Sequence, residues 1–387
     1  MGMRRFNARR DFLWLAAAWA GSVVPSGASP RRSREAGATP PPAKIRAVLD
    51  AALRRTPESF NTDWFGTVMM LGLLRWHRRG GCDARRLARA WLDHHLRRDT
   101  VREYSGPPGR IVEVGGVPIT TYIGQMGLSA PCYEMAQQFD HERAKRICLD
   151  VARVILHQVG RNGRGMVEHD DGGDICIPDT VYFAVSSLMI GYRLDPACGS
   201  AFLEQAVYQL RTYIDTFLVR EVGLAKTILT ADGLGKTYWT RAGGWLSWAI
   251  VSMLRLLPPT DASFSRFCED LRVLAGGILR EQDPGGGLHA LLNDRTTPLE
   301  TTGTAMFAMN VHEATRRGWL PGSMAPYAGR AWEFVMQNID EEGRIRRAYT
   351  GWAQPAEAGG ITESDLDRFP MDWIPGLILC AADEMTT

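Results

Sequence analysis

The sequence predicts an all-α protein, an (α/α)6 barrel or six-hairpin toroid, and three observations predict it. Helical periodicity runs almost unbroken from residue 43 to the end, with weak strand signals. The helices are of two kinds, one apolar nearly all round and one amphipathic and charged. The apolar kind recurs about every 60 residues, the spacing of one inner and one outer helix per repeat. Six inner helices ringed by six outer ones close on themselves. An open solenoid needs polar end caps, and the final stretch MDWIPGLILCAADEM is too apolar to be one.

The chain of 387 residues opens on a targeting segment, expected over residues 1–28. Arg4, Arg5, Arg9 and Arg10 form a positive start, and FLWLAAAWAGSVV is a short apolar run before small residues at Ser26-Gly27-Ala28. Arg9-Arg10-Asp11-Phe12-Leu13 fits the twin-arginine export pattern. The expected destination is the periplasm or the medium. The apolar run is shorter than the roughly 20 residues of a membrane span, so no membrane association is expected after the signal is removed. Residues 29–43 form a Pro-rich linker expected to be disordered, and residues 44–387 the catalytic barrel. Without residues 1–28 the formal charge of +2 becomes about −1, which leaves no basic excess for nucleic acid. The seven cysteines show no C-x-x-C spacing, so neither a zinc site nor a disulfide framework is indicated, and no metal or cofactor is expected.

In chain order, helices are expected at roughly 43–55, 61–78, 83–97, 118–137, 141–159, 179–193, 198–218, 242–257, 262–281, 300–316, 324–338 and 367–385. Those beginning near 61, 118, 179, 242, 300 and 367 are the apolar, inner set. The others cover them, with 43–55 as the sixth outer member. The inner helices of such a barrel start at one rim, so the loops entering them build one cleft. Those loops, 98–117, 160–178, 219–241, 282–299 and 339–366, are long and Gly-rich, as functional loops are. Twelve Trp is a high count; most are expected in the core, with some free to stack on sugar rings.

Chemistry centres on Ile175–Leu188, ICIPDTVYFAVSSL. Pro178 suits a first helical turn. Asp179 then stands at the mouth of an apolar helix, next to Tyr182 and Phe183. Burial there raises a carboxyl pKa, as a general acid requires. The competing reading is a helix N-cap, a role for which Asp is favoured. The preceding loop, Glu168-His169-Asp170-Asp171-Gly172-Gly173-Asp174, lacks the full EF-hand spacing and is expected to be a solvated acidic turn, with His169 a cleft candidate. Trp239-Thr240-Arg241-Ala242-Gly243-Gly244-Trp245 opens the next inner helix. Arg241 is suited to grip a carboxylate, and Trp239 and Trp245 to stack on a sugar, with core packing the competing reading for Trp245. Glu300 is a candidate acid or simply a favourable charge at a helix start. Thr301, Thr302 and Thr304 offer hydroxyls at the same rim.

PDTVYFAV, WTRAGGW and LETTGTAMFA, in this order and about 60 residues apart, resemble the motifs of glycoside hydrolase families 88 and 105. The closing DWIPGLILCAADEM is also similar, and the resemblance covers roughly residues 60–385. It implies an (α/α)6 barrel that removes a 4,5-unsaturated uronic acid from the non-reducing end of lyase-generated oligosaccharides. A carboxylic acid protonates the ring double bond, water adds at the adjacent carbon, and the hemiketal opens to release the remaining sugar. The resemblance makes Asp179 the catalytic acid and Arg241 and Trp245 substrate-binding residues. Trp239, His169, Tyr182 and Thr302 complete the candidate set. The chain departs from the family in two places. A second Asp is absent from Pro118–Gly127, where Thr121, Gln125 or, from another helix, Asp63 are the candidates to replace it. Where the family often carries a His after Gly-Leu, the sequence runs Gly223-Leu224-Ala225-Lys226. The alternatives on the same barrel are a polysaccharide lyase, an ordinary uronide hydrolase, and a catalytically decayed carbohydrate-binding protein.

Overall fold

A computed structural model describes residues 41–95, 97, 109–351, 360–368 and 371–387. The expected signal peptide at 1–28 and most of the expected linker lie outside the described residues. The helices are α1 (Ala43–Leu53), α2 (Trp64–Arg78), α3 (Arg85–His95), α4 (Ile123–Met126), α5 (Ser129–Phe139), α6 (Glu142–His157), α7 (Pro178–Leu194), α8 (Gly199–Phe217), α9 (Thr240–Leu256), α10 (Phe264–Arg280), α11 (Thr301–Arg316), α12 (Ala325–Gln337) and α13 (Trp373–Met385).

Which helices go inside follows from their faces. In α7, α9 and α11 nearly every residue of the first three turns is buried, whereas α6, α8 and α10 bury one stripe each. The inner set packs in a cycle, α2 on α5, α5 on α7, α7 on α9, α9 on α11, α11 on α13, and α13 back on α2. Outer helices lie in the seams, α6 against α5 and α7, α8 against α7 and α9, and α1 against α13. The ring is closed, as the apolar C-terminal stretch requires. Arg55, just past α1, locks the closure with a bidentate pair to Asp372, the residue before α13, at 2.7 and 2.9 Å. The core is continuous and includes Trp76, Trp91, Trp245, Trp248 and Trp373, so tryptophans serve first as core bulk.

The expected helix at 118–137 is interrupted. Its start is strand β2 (Val117–Thr120), paired antiparallel with β1 (Ile111–Val114) through a turn at Gly115-Gly116. Both glycines have positive φ, 61° and 81°, the conformation a tight hairpin turn demands. Three further two-stranded hairpins occur: β3 (Leu218–Val219) with β4 (Leu224–Ala225), β5 (Leu229–Thr230) with β6 (Gly233–Leu234), and β7 (Leu288–His289) with β8 (Leu299–Glu300). All lie in the connections leading to inner helices. Among the described residues no helix is long and apolar enough to cross a membrane.

Candidate active site

The N-terminal ends of α2, α7, α9 and α11 share one rim, and the candidate residues sit there. Asp179 is the second residue of α7. The N-cap is Ile177, with extended φ/ψ and no side-chain cap, so Asp179 is not the capping residue. The residue is 7% exposed, and its buried Oδ1 has no hydrogen-bond partner. A buried, unpaired carboxyl oxygen is costly when ionised. Burial accordingly pushes Asp179 up to about 7, against the opposing pull of the Arg241 guanidinium.

Arg241 opens α9 and is buried. Its guanidinium lies 3.8 Å from the centroid of the Trp239 ring and 5.0 Å from that of Trp373. Nη1 donates to the Tyr349 carbonyl, Nη2 donates to the Gly351 carbonyl at 3.0 Å, and Nε has no partner. Burial lowers it to about 10, while Glu300 and Asp179 hold the cation in place. The sequence places Arg241 as a free fork for substrate; instead, two of its nitrogens already brace the 339–366 loop. That loop, with 282–299, forms a small apolar cluster of its own, Trp239, Ala242, Ala290, Leu291, Tyr349, Ile361 and Leu366, which walls the Arg241 side of the rim.

Glu300 is the N-cap of α11. Its carboxylate accepts from the Thr302 amide at 2.8 Å, the Gly303 amide at 2.5 Å and the Thr302 hydroxyl at 2.6 Å. Its role is to cap and to counter Arg241. Thr302 therefore differs from expectation: fully buried, its hydroxyl is spent on Glu300. Trp245 and Tyr182 also differ. Trp245 is fully buried, stacked on Trp248 at 5.4 Å and close to Tyr182, Phe183 and Trp64. Tyr182 stacks on Trp248 at 4.3 Å, and its phenol feels Arg75 and Arg255 near the C-terminal ends of α2 and α9. Large rings on an inner helix are drawn into the core, and a buried phenol then seeks polar groups at the far end.

His169 is in place near Asp179. Its Nδ1 lies 3.3 Å from the Thr180 hydroxyl and its Nε2 3.8 Å from Asp170, and its ring meets Tyr122 edge-on at 5.4 Å. Burial lowers it to about 4, so it is neutral at pH 7. The acidic loop around it is only partly solvated. Glu168 is buried and accepts from the Gly172 amide at 2.9 Å, and Asp171 accepts from Arg110 Nε at 2.8 Å and the Thr121 hydroxyl at 2.6 Å. Among the described residues no group of three or more His, Cys, Asp or Glu is placed to hold a metal ion.

Thr121 is thus engaged with Asp171, and Gln125 accepts from the Thr120 amide and hydroxyl, each at 2.7 Å. Asp63, the remaining candidate, is a second buried carboxyl at this rim. It caps α2, accepting from the Phe65 amide at 2.9 Å, and burial raises it to about 6, helped by the Asp372 charge. Tyr122, absent from the sequence-based set, lies within reach of these acids: its phenol is raised by burial and further by the charges of Asp63, Asp170 and Asp179. Lys226 does not join them. It donates to the Lys236 carbonyl at 2.7 Å and lies over the Tyr238 ring at 3.9 Å.

A closed ring of helix pairs with carboxyl groups, a buried cation and aromatic rings on one rim defines a six-hairpin glycosidase. The profile of Glycosyl Hydrolase Family 88 matches residues 48–385, and the chain belongs to that family. It is 23% identical over 351 residues to the unsaturated rhamnogalacturonyl hydrolase YesR of Bacillus subtilis, covering 87% of this chain and 93% of the relative. Among solved structures it resembles a possible member of glycoside hydrolase family 105 from Salmonella enterica serovar Paratyphi A, with a TM-score of 0.71, 18% identity, and coverage of 89% and 92% of the two chains. It also resembles the unsaturated glucuronyl hydrolase of Bacillus sp. GL1, with a TM-score of 0.63, 16% identity, and coverage of 88% and 93%.

Proposed function

We propose that this glycoside hydrolase removes a 4,5-unsaturated uronic acid from the non-reducing end of oligosaccharides left by polysaccharide lyases. The observation that carries the reading is Asp179: a buried, uncapped carboxyl raised to about 7, opposite a buried arginine, in a chain of family 88. A carboxyl that is half protonated near neutral pH can both give and take a proton. Asp179 donates its proton to one carbon of the ring double bond. Water adds to the adjacent carbon, next to the ring oxygen, and returns a proton to Asp179. The resulting hemiketal opens and the remaining sugar departs. Arg241 faces the uronate carboxylate through the donors it does not spend on the loop, with Trp239 behind it. Asp63 supplies the second carboxyl at the rim, and neutral His169 positions the ring without adding charge.

The test is the absorbance of the conjugated uronate when the protein meets lyase-cut pectin or glycosaminoglycan fragments. Loss of absorbance with release of the shortened sugar is expected. A rise in absorbance defines a lyase, and no change with retained binding defines a binding protein; either overturns the proposal. The same fragments, offered with rhamnose or amino sugar next to the uronate, establish the leaving group.

We further propose that the folded chain is exported by the twin-arginine route, on the strength of Arg9, Arg10 and the apolar run that follows. Replacing both arginines with lysine is expected to retain the protein in the cytoplasm. Export that persists in this variant removes the proposal.

A further inference from the structure

The barrel has a polar cavity that Asp179 does not line. Residues near the C-terminal ends of α2, α7, α9 and α13 enclose about 260 Å³ there, lined in part by Arg75, Arg78, Arg255, Arg317, Glu134 and Glu384. Ile190, which lines it, lies eleven residues beyond Asp179 on α7, roughly 16 Å at the rise of a helix. Tyr182, three residues past Asp179, also lines it, so the cavity runs along α7 towards the far end, and Asp179 is not part of its lining.

Basic residues at helix C-termini have a structural reason, since the helix dipole favours cations there. Most of these arginines are also answered by acids. Arg255 donates to Glu313 and to Glu384, each at 2.6 Å. Arg317 donates to Glu313 at 2.8 Å, and Arg78 to Glu134 at 2.8 Å. Arg75 is not answered in this way. Its side chain is 6% exposed, Nη1 makes no hydrogen bond, and its ion-pair partner, Glu384 Oε1, lies 3.7 Å from it. Glu384 is already shared with Arg255 and Arg316. A buried guanidinium with unused donors asks for an acceptor in the space beside it.

We propose that this cavity binds a small oxyanion of the phosphate, sulfate or carboxylate class, with Arg75 as its anchor. Four arginines line the cavity with Glu134 and Glu384, and Glu313 stands behind Arg255 and Arg317, so the positive charge left unspent is that of Arg75. The Tyr182 phenol adds a further polar group, placed where it feels both Arg75 and Arg255. The half-exposed side chain of Arg78 leaves the cavity a way in from solvent. Its volume is below the roughly 300–1,000 Å³ of drug-sized ligand sites, which excludes an oligosaccharide and suits a compact anion.

The experiment is a titration of the exported chain with inorganic phosphate, sulfate and acetate in separate arms, against sodium chloride at matched ionic strength. It is read by calorimetry and by thermal unfolding. At least one oxyanion is expected to bind saturably and raise the melting temperature beyond the chloride control. Arg75→Met is expected to weaken that binding about tenfold or more, the loss of a charge-assisted hydrogen bond, while hydrolase turnover without added anion is unchanged. Should Arg75→Met not fold, Arg78→Gln combined with Arg317→Gln carries the test through a severalfold loss of affinity. No saturable response in any arm, or equal responses in wild type and variant, means that the cavity holds water only and overturns the proposal.

Discussion

Asp179 has two influences that pull its acidity in opposite directions, and both can be measured. Burial raises it from 3.8 to about 7, and the Arg241 charge pulls it down. The folded state therefore keeps a proton that the unfolded chain releases above its own pKa. Stability is lost as pH rises from about 4 to about 7, by up to roughly 1.4 kcal/mol per pH unit from this group. Asp63, raised to about 6, acts in the same direction. Asp179→Asn is expected to flatten this loss, so that the variant melts higher than wild type at pH 8 and no differently at pH 4. Its turnover is expected to fall about 10²–10⁴-fold, the usual worth of general acid catalysis. A variant that keeps its turnover shows the proton donor to be another group, with Asp63 the first to try. Arg241→Gln makes a separate prediction: with the cation gone, the alkaline limb of kcat/KM moves to higher pH, and affinity for a uronate weakens more than affinity for its uncharged analogue. An unmoved limb means that Arg241 does not act on Asp179. Asp179 and Arg241 were legible in the sequence because each opens an apolar helix after a local signal, Pro178 and Trp239. Tyr122 and Asp63 were less so. Their importance comes from facing Asp170, Asp179 and Asp372 across gaps in sequence that no local pattern spans.

The helices themselves follow their hydrophobic pattern closely, because an inner helix has to be apolar nearly all round and an outer one cannot be. The exception, 118–137, shows where pattern reading stops. VPIT is apolar in either period, and only the Gly115-Gly116 turn and its partner strand commit it to a hairpin. Ring closure rests on a contact of equal detail. α2 and α13 approach so closely that a Cβ on Gly376 would stand 2.3 Å from Met69 Cα and 2.4 Å from its amide nitrogen. A Cβ on Gly72 would stand 2.6 Å from the Gly376 carbonyl oxygen. These are backbone atoms, which cannot swing aside. Gly376→Ala is therefore expected to force the two helices apart and cost about 1–3 kcal/mol, the range for overpacking a core. Gly329→Ala, on outer helix α12 with open space around it, is the control and is expected to be neutral or slightly stabilising. Urea unfolding of the two variants measures the difference. Equal midpoints would mean that the α2–α13 seam is looser than its geometry.

A closed ring and an open stack of helix pairs differ in how they respond to losing one member. In an open array each unit touches only its neighbours, so removing the last one costs its own share and leaves the rest cooperative. Here α13 packs on both α2 and α11, and α1 packs on α13. The bidentate Arg55–Asp372 pair fastens one end of the seam, and Arg79 fastens the other through the Asp383 carbonyl and the Thr386 hydroxyl, each at 2.7 Å. Taking out residues 371–387 uncovers the apolar flanks of α2 and α11 together and removes the inner helix on which α1 packs. It also removes Trp373 from beneath Arg241, and Glu384 from the charge network at the other end. The truncated chain is therefore expected to lose its single cooperative melting transition, bind a hydrophobic dye at room temperature and show no hydrolase activity. Removing an outer residue cluster of similar length would not do this, since outer helices bury one face only. If the truncated chain instead melts in one sharp step a few degrees below the full chain, the repeats behave as an open array, and the closed ring is not what holds the catalytic rim together.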